Sequence, residues 1–332
     1  MVGHGPILSH GGPRGHEASD DLLTGPDRAS HPGPEPAHSV AVRPADRSAT
    51  PQASLIVTGR DQPGIVAAVT SVLSGHGANI VALDQHSDPM DGAFFQRTVF
   101  SLVELKAAMP ALHADLTEAL AAGFDLRFQL RDRSIPKRMA VFASRSDHCL
   151  LDLLWRHRRG QLPVTVPMVI SNHPDTAEEV RRFGVPFFHV PCTGPDKAEA
   201  EAEQLRLLSG NVDFVVLARY MQILSPGFIE RLGVPIINIH HSFLPAFVGA
   251  DPYQRARERG VKLIGATAHY VTEELDEGPI IEQDVIRVGH ADTVADLKLL
   301  GADVERAVLS RAVTWHSEDR VIRHGSHTIV FA

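Results

Sequence analysis

The chain has 332 residues, of which 43% are hydrophobic and 22% are charged, and its net charge is −8. This length and composition are typical of a soluble globular protein with two domains. The negative charge argues against a general nucleic-acid-binding protein, and no apolar run reaches the ~18 residues that span a bilayer. The only cysteines, Cys149 and Cys192, form no CxxC pair, so we expect no disulfide framework, no zinc knuckle and a cytoplasmic location.

The first segment, residues 1–52, differs from the rest of the chain. Its first 50 residues hold seven Pro, seven Gly and five His, and they lack Phe, Tyr and Trp. Such a composition cannot bury enough apolar surface to offset the entropy lost on ordering. The histidines are scattered between Gly and Pro, which does not favour a metal site. The segment is therefore expected to be a disordered tail.

Residues 53–132 follow a pattern that predicts the order βαββαβ. Pro63 and Gly64 mark the first strand-to-helix turn, where both residues set the backbone. Apolar residues at helical spacing follow this turn. The order is that of the ferredoxin-like split βαβ fold. The predicted strands cover 54–59, 79–86, 93–104 and 125–130, and the predicted helices cover 65–74 and 109–122.

Residues 138–332, after a short polar linker, show apolar strands that alternate with helices. This alternation predicts an α/β domain with a mostly parallel, doubly wound sheet. Ligands of such sheets bind beyond the carboxyl ends of the strands. The predicted strands cover 139–143, 168–171, 186–190, 214–218, 236–239, 265–271 and 280–286; the predicted helices cover 150–158, 176–183, 196–208 and 293–312.

The densest polar cluster of this second domain follows an apolar strand. Asn238 and His240 are two positions apart, so their side chains project from the same face of a strand. An amide that donates, beside an imidazole that exchanges a proton, suits chemistry at a carbonyl group. The alternative is a polar pair that only caps the strand.

Two further segments lie after predicted strands. Residues 272–279 (TEELDEGP) form an acidic loop, whose Asp276 would favour the charged form of a nearby histidine and fix its tautomer; a plain surface turn is the alternative. Residues 221–224 (MQIL) follow the strand ending at 218. Their apolar side chains fit either a core or a pocket for a flat heterocycle.

These segments resemble a known family. Asn-Ile-His at 238–240, Ser-Phe-Leu-Pro at 242–245 and Leu-Asp-Glu-Gly-Pro at 275–279 occur in the order found in formyltransferase-fold enzymes that use formyltetrahydrofolate. The resemblance covers the chain from about residue 139 to its end and implies a catalytic trio of Asn238, His240 and Asp276. It further implies that the folate is held by Met221, Gln222, Ile223, Leu224, Asn172, His269 and Thr272.

Within this family, the chain is most similar to the deformylases. Asp-His-Cys-Leu at 147–150 and the double histidine at 240–241 resemble their motifs, and residues 54–100 resemble the ACT domain that they carry. The transferases that use glycinamide ribonucleotide bind its phosphate on a Gly-rich loop after the first strand of this domain. Here the loop at 144–149 (SRSDHC) has no Gly and contains Asp147, which would repel a phosphate.

The resemblance implies hydrolysis of 10-formyltetrahydrofolate to tetrahydrofolate and formate, which controls the one-carbon pool and supplies formate for purine synthesis. Two alternatives stay open: a formyl transferase with another acceptor, and a ligand-sensing protein with a vestigial catalytic domain. No bound cofactor, metal, nucleic acid or membrane is expected. A homo-oligomer formed through the ACT-like domain is expected, with glycine or methionine as an effector. The regulatory residues implied are Asp61, Gly64, Ile65, Asn79 and Ile80.

Overall fold

The computed structural model describes residues 50–192, 196–245 and 252–332. The tail expected over 1–52 therefore lies almost entirely outside the described residues. Within the described ranges, no helix combines the length and the apolar character needed to cross a membrane.

The N-terminal domain has the predicted βαββαβ order. Its four strands form an antiparallel sheet in the order β2-β3-β1-β4. One face of this sheet packs on the two helices, with Leu55, Phe100 and Leu116 among the fully buried side chains between them. The ACT-like fold is thus confirmed. The elements are β1 (Gln52–Arg60), α1 (Ile65–Gly75), β2 (Asn79–Ser87), β3 (Ala93–Ser101), α2 (Leu105–Phe124) and β4 (Arg127–Asp132).

The junction between β3 and α2 differs from the prediction. The strand predicted over 93–104 ends at Ser101, and the helix begins at Leu105 rather than at 109. Pro110 therefore lies inside the helix, where it removes one backbone hydrogen bond. Leu112 and Leu116 are fully buried on this helix, and their burial offsets that loss.

The second domain is built on a seven-stranded sheet in the order β11-β10-β9-β8-β5-β6-β7. The strands from β9 to β7 are parallel, whereas β10 runs antiparallel to both of its neighbours, β9 and β11. The mostly parallel α/β sheet is therefore confirmed. Its elements are β5 (Lys137–Ala143), α3 (His148–Arg158), β6 (Val164–Ser171), α4 (Ala177–Arg182), β7 (Phe187–His189), α5 (Lys197–Leu208), β8 (Phe214–Ala218), α6 (Pro226–Leu232), β9 (Ile236–His240), α7 (Pro252–Arg259), β10 (Leu263–Tyr270), β11 (Ile280–Arg287) and α8 (Val294–Ser317).

Four short elements were not predicted: α6, α7 and a C-terminal hairpin of β12 (Val321–His324) and β13 (His327–Val330). A helix signal was present for α6. The side chain of Ser225 accepts a hydrogen bond from the backbone N–H of Phe228, and Pro226 starts the helix. Ser at the N-cap followed by Pro is typical of a helix start.

One half-buried carboxylate joins the two domains. Asp319, just after α8, accepts hydrogen bonds from Ser54 Oγ at 2.6 Å and Arg131 Nη1 at 3.1 Å, and it lies 2.7 Å from Lys137 Nζ. Burial would raise the pKa of Asp319, but Lys137, Ser54 and Arg131 together lower it. The carboxylate is therefore ionised and ties the open face of the N-terminal sheet to the end of α8.

Candidate active site

A cavity of about 930 Å³ lies beyond the carboxyl ends of β8 and β9. β8 pairs with β5, from which the chain builds the sheet outwards in two directions, and β9 pairs with β8. Ligands of open α/β sheets bind at such a switch point. The loops after β8, β9 and β10 line the cavity, together with one face of α8. All three members of the predicted catalytic trio lie on its wall.

Asn238 and His240 reach the cavity from β9. Ile237 and Ile239 alternate with them and are buried in the core on the other face of the sheet. This alternation fixes the register of the strand, because a shift by one residue would expose the isoleucines. The structure therefore places the amide and the imidazole side by side, as predicted from their spacing.

Asp276 approaches His240 from the loop between β10 and β11. Its Oδ2 lies 3.2 Å from His240 Nδ1. Its backbone is left-handed, with φ of 59°, a conformation that Asp tolerates better than most residues. The hydrogen bond from His240 holds the pKa of Asp276 well below its usual range. The carboxylate is thus ionised, and it fixes the proton of His240 on Nδ1.

The second ring nitrogen of His240 is free for chemistry. The His240 ring is buried, and Nε2 has no hydrogen-bond partner among the described residues. With the proton held on Nδ1, Nε2 is an acceptor. An unpaired acceptor on the wall of a cavity is the position expected of a general base.

His269 lies on β10 directly opposite Asn238 and is buried. Its Nδ1 is 3.0 Å from the carbonyl oxygen of Tyr270, so Nδ1 donates and Nε2 accepts. The amide nitrogen of Asn238 is 3.1 Å from that Nε2. One amide hydrogen of Asn238 is therefore used by His269, and the other can point into the cavity.

The loop predicted to hold a heterocycle also lines the cavity. The side chains of Met221 and Ile223 are 59% and 61% exposed, whereas Leu224 belongs to the core. Gln222 and Thr272 line the same space. The sequence left a core and a pocket as alternatives for these side chains. Leu224 packs in the core, and Met221 and Ile223 present apolar surface to the cavity.

Asn172 is not on the cavity wall. It is buried and accepts a hydrogen bond from Ser144 Oγ at 2.7 Å, and Ser144 in turn accepts one from the backbone N–H of Met221 at 3.1 Å. Asn172 therefore supports the loop that carries Met221 and makes no direct approach to a ligand.

A second polar cluster, which the sequence did not predict, forms another wall of the cavity. Glu305 on α8 accepts a hydrogen bond from Tyr253 Oη at 2.7 Å, and its Oε2 lies 2.8 Å from His148 Nε2 and 3.4 Å from Arg219 Nε. Glu305 is 2% exposed. Burial would raise its pKa, but His148, Arg219 and Tyr253 lower it, so the carboxylate is ionised. We call these four residues the Glu305 cluster.

The side chain of Arg219 is only 14% exposed. This residue follows β8 directly and has a left-handed backbone, with φ of 61°. A non-glycine residue in this region is strained, and strain of this kind occurs mostly at functional sites. The turn points the guanidinium into the cavity rather than outwards.

The regulatory residues predicted on the ACT-like domain fall into two separate groups. Asp61, Gly64 and Ile65 follow β1, whose last residue pairs with the first residue of β3. Asn79 and Ile80 begin β2 and pair with the last residues of β3. The two groups therefore lie at opposite ends of the sheet. Within one chain they do not meet, so a shared site requires a second copy.

Acid is expected to destabilise the fold through two half-buried histidines, His241 and His316. Burial, followed by the charges of Arg219 and His240, lowers the pKa of His241 to about 4, and burial lowers that of His316 to about 3. Between pH 6.5 and pH 4 the unfolded chain therefore binds more protons than the folded chain. As the pH falls across this window, the free energy of unfolding should therefore decrease, by at most about 1.4 kcal/mol per pH unit for each histidine. Urea denaturation at pH 7, 6 and 5 measures it.

His316→Gln is the variant that checks the cause. It should be less stable than the wild type at pH 7, because Tyr270 Oη lies 2.8 Å from His316 Nδ1, but its stability should fall less steeply with pH. The exposed His290 offers a matched control, and His290→Gln should keep the wild-type slope. A stability that is flat or rises as the pH falls from 6.5 to 4 would contradict this explanation.

The chain is similar in sequence to known proteins. Residues 137–313 match the formyl transferase family model, and residues 53–116 match the ACT domain. The formyltetrahydrofolate deformylase of Mycobacterium tuberculosis is 64% identical over 278 residues, which cover 83% of this chain and 90% of that protein. The Bacillus subtilis protein of the same name is 50% identical over 279 residues, covering 83% and 93%.

Solved structures agree. The chain is similar to the crystal structure of a formyltetrahydrofolate deformylase from Pseudomonas syringae pv. tomato, with a TM-score of 0.82 and 44% identity over 86% of this chain and 96% of that one. It is also similar to glycinamide ribonucleotide transformylase 1 from Symbiobacterium toebii, with a TM-score of 0.56 and 34% identity, but that match covers only 59% of this chain and 95% of that one. Sequence and structure thus agree on one assignment: the chain belongs to the formyltetrahydrofolate deformylase family.

Proposed function

We propose that this chain hydrolyses the formyl group of 10-formyltetrahydrofolate and releases tetrahydrofolate and formate. The observation that carries the proposal is the grouping of Asn238, His240 and Asp276 on one wall of the cavity, where His240 Nε2 is an unpaired acceptor. The names of its relatives support the same reaction.

Each member of the trio has a role in this proposal. Asn238 donates its second amide hydrogen to the formyl oxygen as negative charge develops there. His240 takes a proton from the attacking water through Nε2 and passes it to the departing N10 nitrogen. Asp276 holds the other ring proton on Nδ1 and stabilises the imidazolium that forms. The exposed apolar side chains of Met221 and Ile223 provide surface for the pterin.

Water is the proposed nucleophile because the second-substrate site of the transferases is altered here. The loop between β5 and α3 contains no Gly and ends at Asp147, a negative charge where a phosphate would bind. Transfer to a different acceptor is the second candidate function, since the same trio activates a formyl group for any nucleophile.

Formate release tests the proposal directly. The full chain is incubated with 10-formyltetrahydrofolate and no amine, and formate and tetrahydrofolate are measured together. Equal amounts of both products are expected, with no effect of added glycinamide ribonucleotide. Turnover that requires this ribonucleotide would show a transferase instead, and binding without turnover would show a ligand sensor.

Further parts of the proposal concern the setting of the reaction. We base three of them on the family to which the chain belongs. These are a cytoplasmic location, a role in supplying formate for purine synthesis, and the absence of a bound cofactor or metal. A homo-oligomer paired through the ACT-like domain is proposed because the two regulatory groups of one chain cannot meet without a second copy.

Glycine or methionine is the proposed effector, bound where Gly64 of one copy faces Asn79 and Ile80 of another. Gly64 has φ of 98°, a conformation that a β-branched residue cannot adopt without strain. Allosteric coupling of typical size would change turnover about 5–150-fold at saturating effector. Each amino acid is titrated against the wild type and Gly64→Val. No response of the wild type would exclude these effectors, and an unchanged response of Gly64→Val would exclude this site.

A further inference from the structure

The C-terminal hairpin of β12 and β13 lies between the ACT-like domain and the loop that carries Asp276. Its two short strands pair with each other and form a separate two-stranded sheet. A two-stranded hairpin on its own is marginally stable in water, so contacts with other elements must hold it in place. Those contacts run to both domains.

His324 is the residue through which the hairpin contacts the ACT-like domain. Its Nε2 lies 2.5 Å from Oδ2 of Asp91, in the turn between β2 and β3. Its ring meets the ring of Phe95 edge-on, with the two centroids 5.0 Å apart, and Phe95 is buried. A polar contact and an aromatic contact thus fix the hairpin on the ACT-like sheet.

The hairpin also contacts the two residues that flank the Asp276 loop, which comprises residues 271–279 between β10 and β11. Before the loop, the guanidinium of Arg323 lies over the ring of Tyr270, 5.2 Å from its centroid. After the loop, Thr328 Oγ1 donates a hydrogen bond of 2.6 Å to the carbonyl oxygen of Ile280. Tyr270 ends β10 and Ile280 begins β11, so the hairpin holds both ends of the loop.

Ile280 lies at an irregular point of the sheet. β11 is an edge strand, and its ladder with β10 shifts register between Ala268 and His269, so that His269 pairs with Ile280. A bulge of this kind disrupts the ladder locally and bends the strand. The ladder therefore fixes Ile280 less firmly than a regular strand would, and the hydrogen bond from Thr328 adds support at this point.

The short arm from Ile280 back to Asp276 is closely packed. Tyr270 N–H donates to the carbonyl oxygen of Pro279 at 2.9 Å, and a Cβ atom on Gly278 would lie 1.8 Å from the carbonyl oxygen of Tyr270. Gly278 and Pro279 are both buried. Close packing transmits strain, so a shift of Ile280 is carried along this arm to Asp276.

The rest of the loop gives Asp276 little support. Four of its side chains are exposed, namely those of Glu273, Glu274, Leu275 and Glu277. Asp276 itself has a left-handed backbone, and such a conformation persists only where the surrounding structure holds it. The contact with His240 and the arm to Ile280 are therefore the main supports of the carboxylate.

We propose that the hairpin is a positioning element for catalysis, through which the ACT-like domain sets the position of the Asp276 carboxylate against His240. This inference rests on the proposed hydrolysis, in which Asp276 orients His240. Thr328 is the positioning residue at the catalytic end of the connection, and His324 is the one at the ACT-like end. Because the connection lies within one chain, it carries any displacement of the β2–β3 turn to the active site.

The first test removes the hydroxyl group of Thr328 at nearly constant shape. Thr328→Val should lower kcat about 2–10-fold, the size expected for one neutral hydrogen bond, while KM changes less than about twofold. Thr328→Ser keeps the hydroxyl group and should have wild-type kcat. Thr314→Val is the matched control, because Thr314 Oγ1 also donates to a backbone carbonyl, that of Ser310 on α8 at 2.7 Å. It should turn over like the wild type.

A double-mutant cycle separates positioning from general support of the fold. In the Asp276→Asn background, Thr328→Val should lower kcat less than about twofold, because the carboxylate that Thr328 positions is gone. A hairpin that only supports the fold would cost the same factor in both backgrounds.

The ACT-like end is tested with His324→Ala, which removes the contacts with Asp91 and Phe95. It should lower kcat about 2–10-fold, and this loss should not add to that of Thr328→Val, since both variants break one connection. His327→Ala replaces an exposed histidine of the same hairpin and should keep wild-type kcat.

Two sets of results would overturn the inference while the hydrolysis stands. Wild-type kcat in Thr328→Val, an equal loss in Thr328→Ser, or the same loss in the Asp276→Asn background would exclude the positioning role. Wild-type kcat in His324→Ala, or a loss that adds to that of Thr328→Val, would exclude the link to the ACT-like domain. If the wild type itself forms no formate, the proposed function fails, and the inference fails with it.

Discussion

His240→Ala and Asn238→Ala are each expected to lower turnover by at least about 10²–10³-fold. Removal of a general base or of one oxyanion donor typically costs this much. Both side chains project from β9 into the cavity and do not contribute to the apolar core on the other face of the sheet. The fold should therefore survive, and binding of tetrahydrofolate, followed by titration calorimetry, should change little.

Control variants separate the chemistry from general damage. His290→Ala replaces an exposed histidine in the segment between β11 and α8 and should turn over like the wild type. Near-normal formate release by His240→Ala would remove the proposed mechanism, whatever the behaviour of Asn238→Ala.

Asp276→Asn is expected to lower turnover between about 10²- and 10⁴-fold, a range that includes the loss seen when a triad carboxylate is replaced in this way. An amide presents either an oxygen or an NH₂ group to His240 Nδ1, so the proton is no longer fixed there. In one of the two arrangements Nε2 carries the proton and cannot act as a base. The imidazolium formed during the reaction also loses its counter-charge.

The pH dependence and a neighbouring carboxylate check this explanation. Because the pKa of Asp276 is held low, Asp276 stays ionised above pH 5, and its titration should leave no step in the wild-type pH–rate profile there. Glu277→Gln removes a negative charge from the same loop, one residue away, and should leave the rate within about twofold of the wild type. Equal losses in Glu277→Gln and Asp276→Asn would show that loop charge, and not the contact with His240, is responsible.

Much of the fold follows from local sequence patterns. The alternation of apolar strands and helices predicts both domains, because the period of buried residues reports the element that buries them. Short elements were not predicted: α7 is only Pro252–Arg259, and most of its residues are polar, so too few apolar positions report its period. Such helices form because the surrounding chain holds them in place.

The trio could be predicted because two of its members share one strand. Asn238 and His240 are neighbours in sequence, and their spacing places them together. The Glu305 cluster could not be predicted in this way, because its members come from α3, α7, α8 and the loop after β8. Only Gly301, where a Cβ atom would lie 1.9 Å from Tyr253 Oη, left a local signal, as a glycine inside a helix four positions before a glutamate. The position of Arg219 depends on a backbone turn that no periodicity reports.

Because Asp319 contacts both domains, we expect the two domains to unfold together. If the N-terminal sheet unfolds alone, Asp319 loses the hydrogen bonds from Ser54 and Arg131 and keeps only its contact with Lys137. Loss of hydrogen bonds to a charged group lowers stability. The contacts that Asp319 makes from the second domain therefore oppose unfolding of the N-terminal sheet alone. Differential scanning calorimetry of the full chain should show one cooperative transition, and Asp319→Ala should split it into two. The stability of the ACT-like domain is thus a property of the whole chain rather than of residues 53–132 alone.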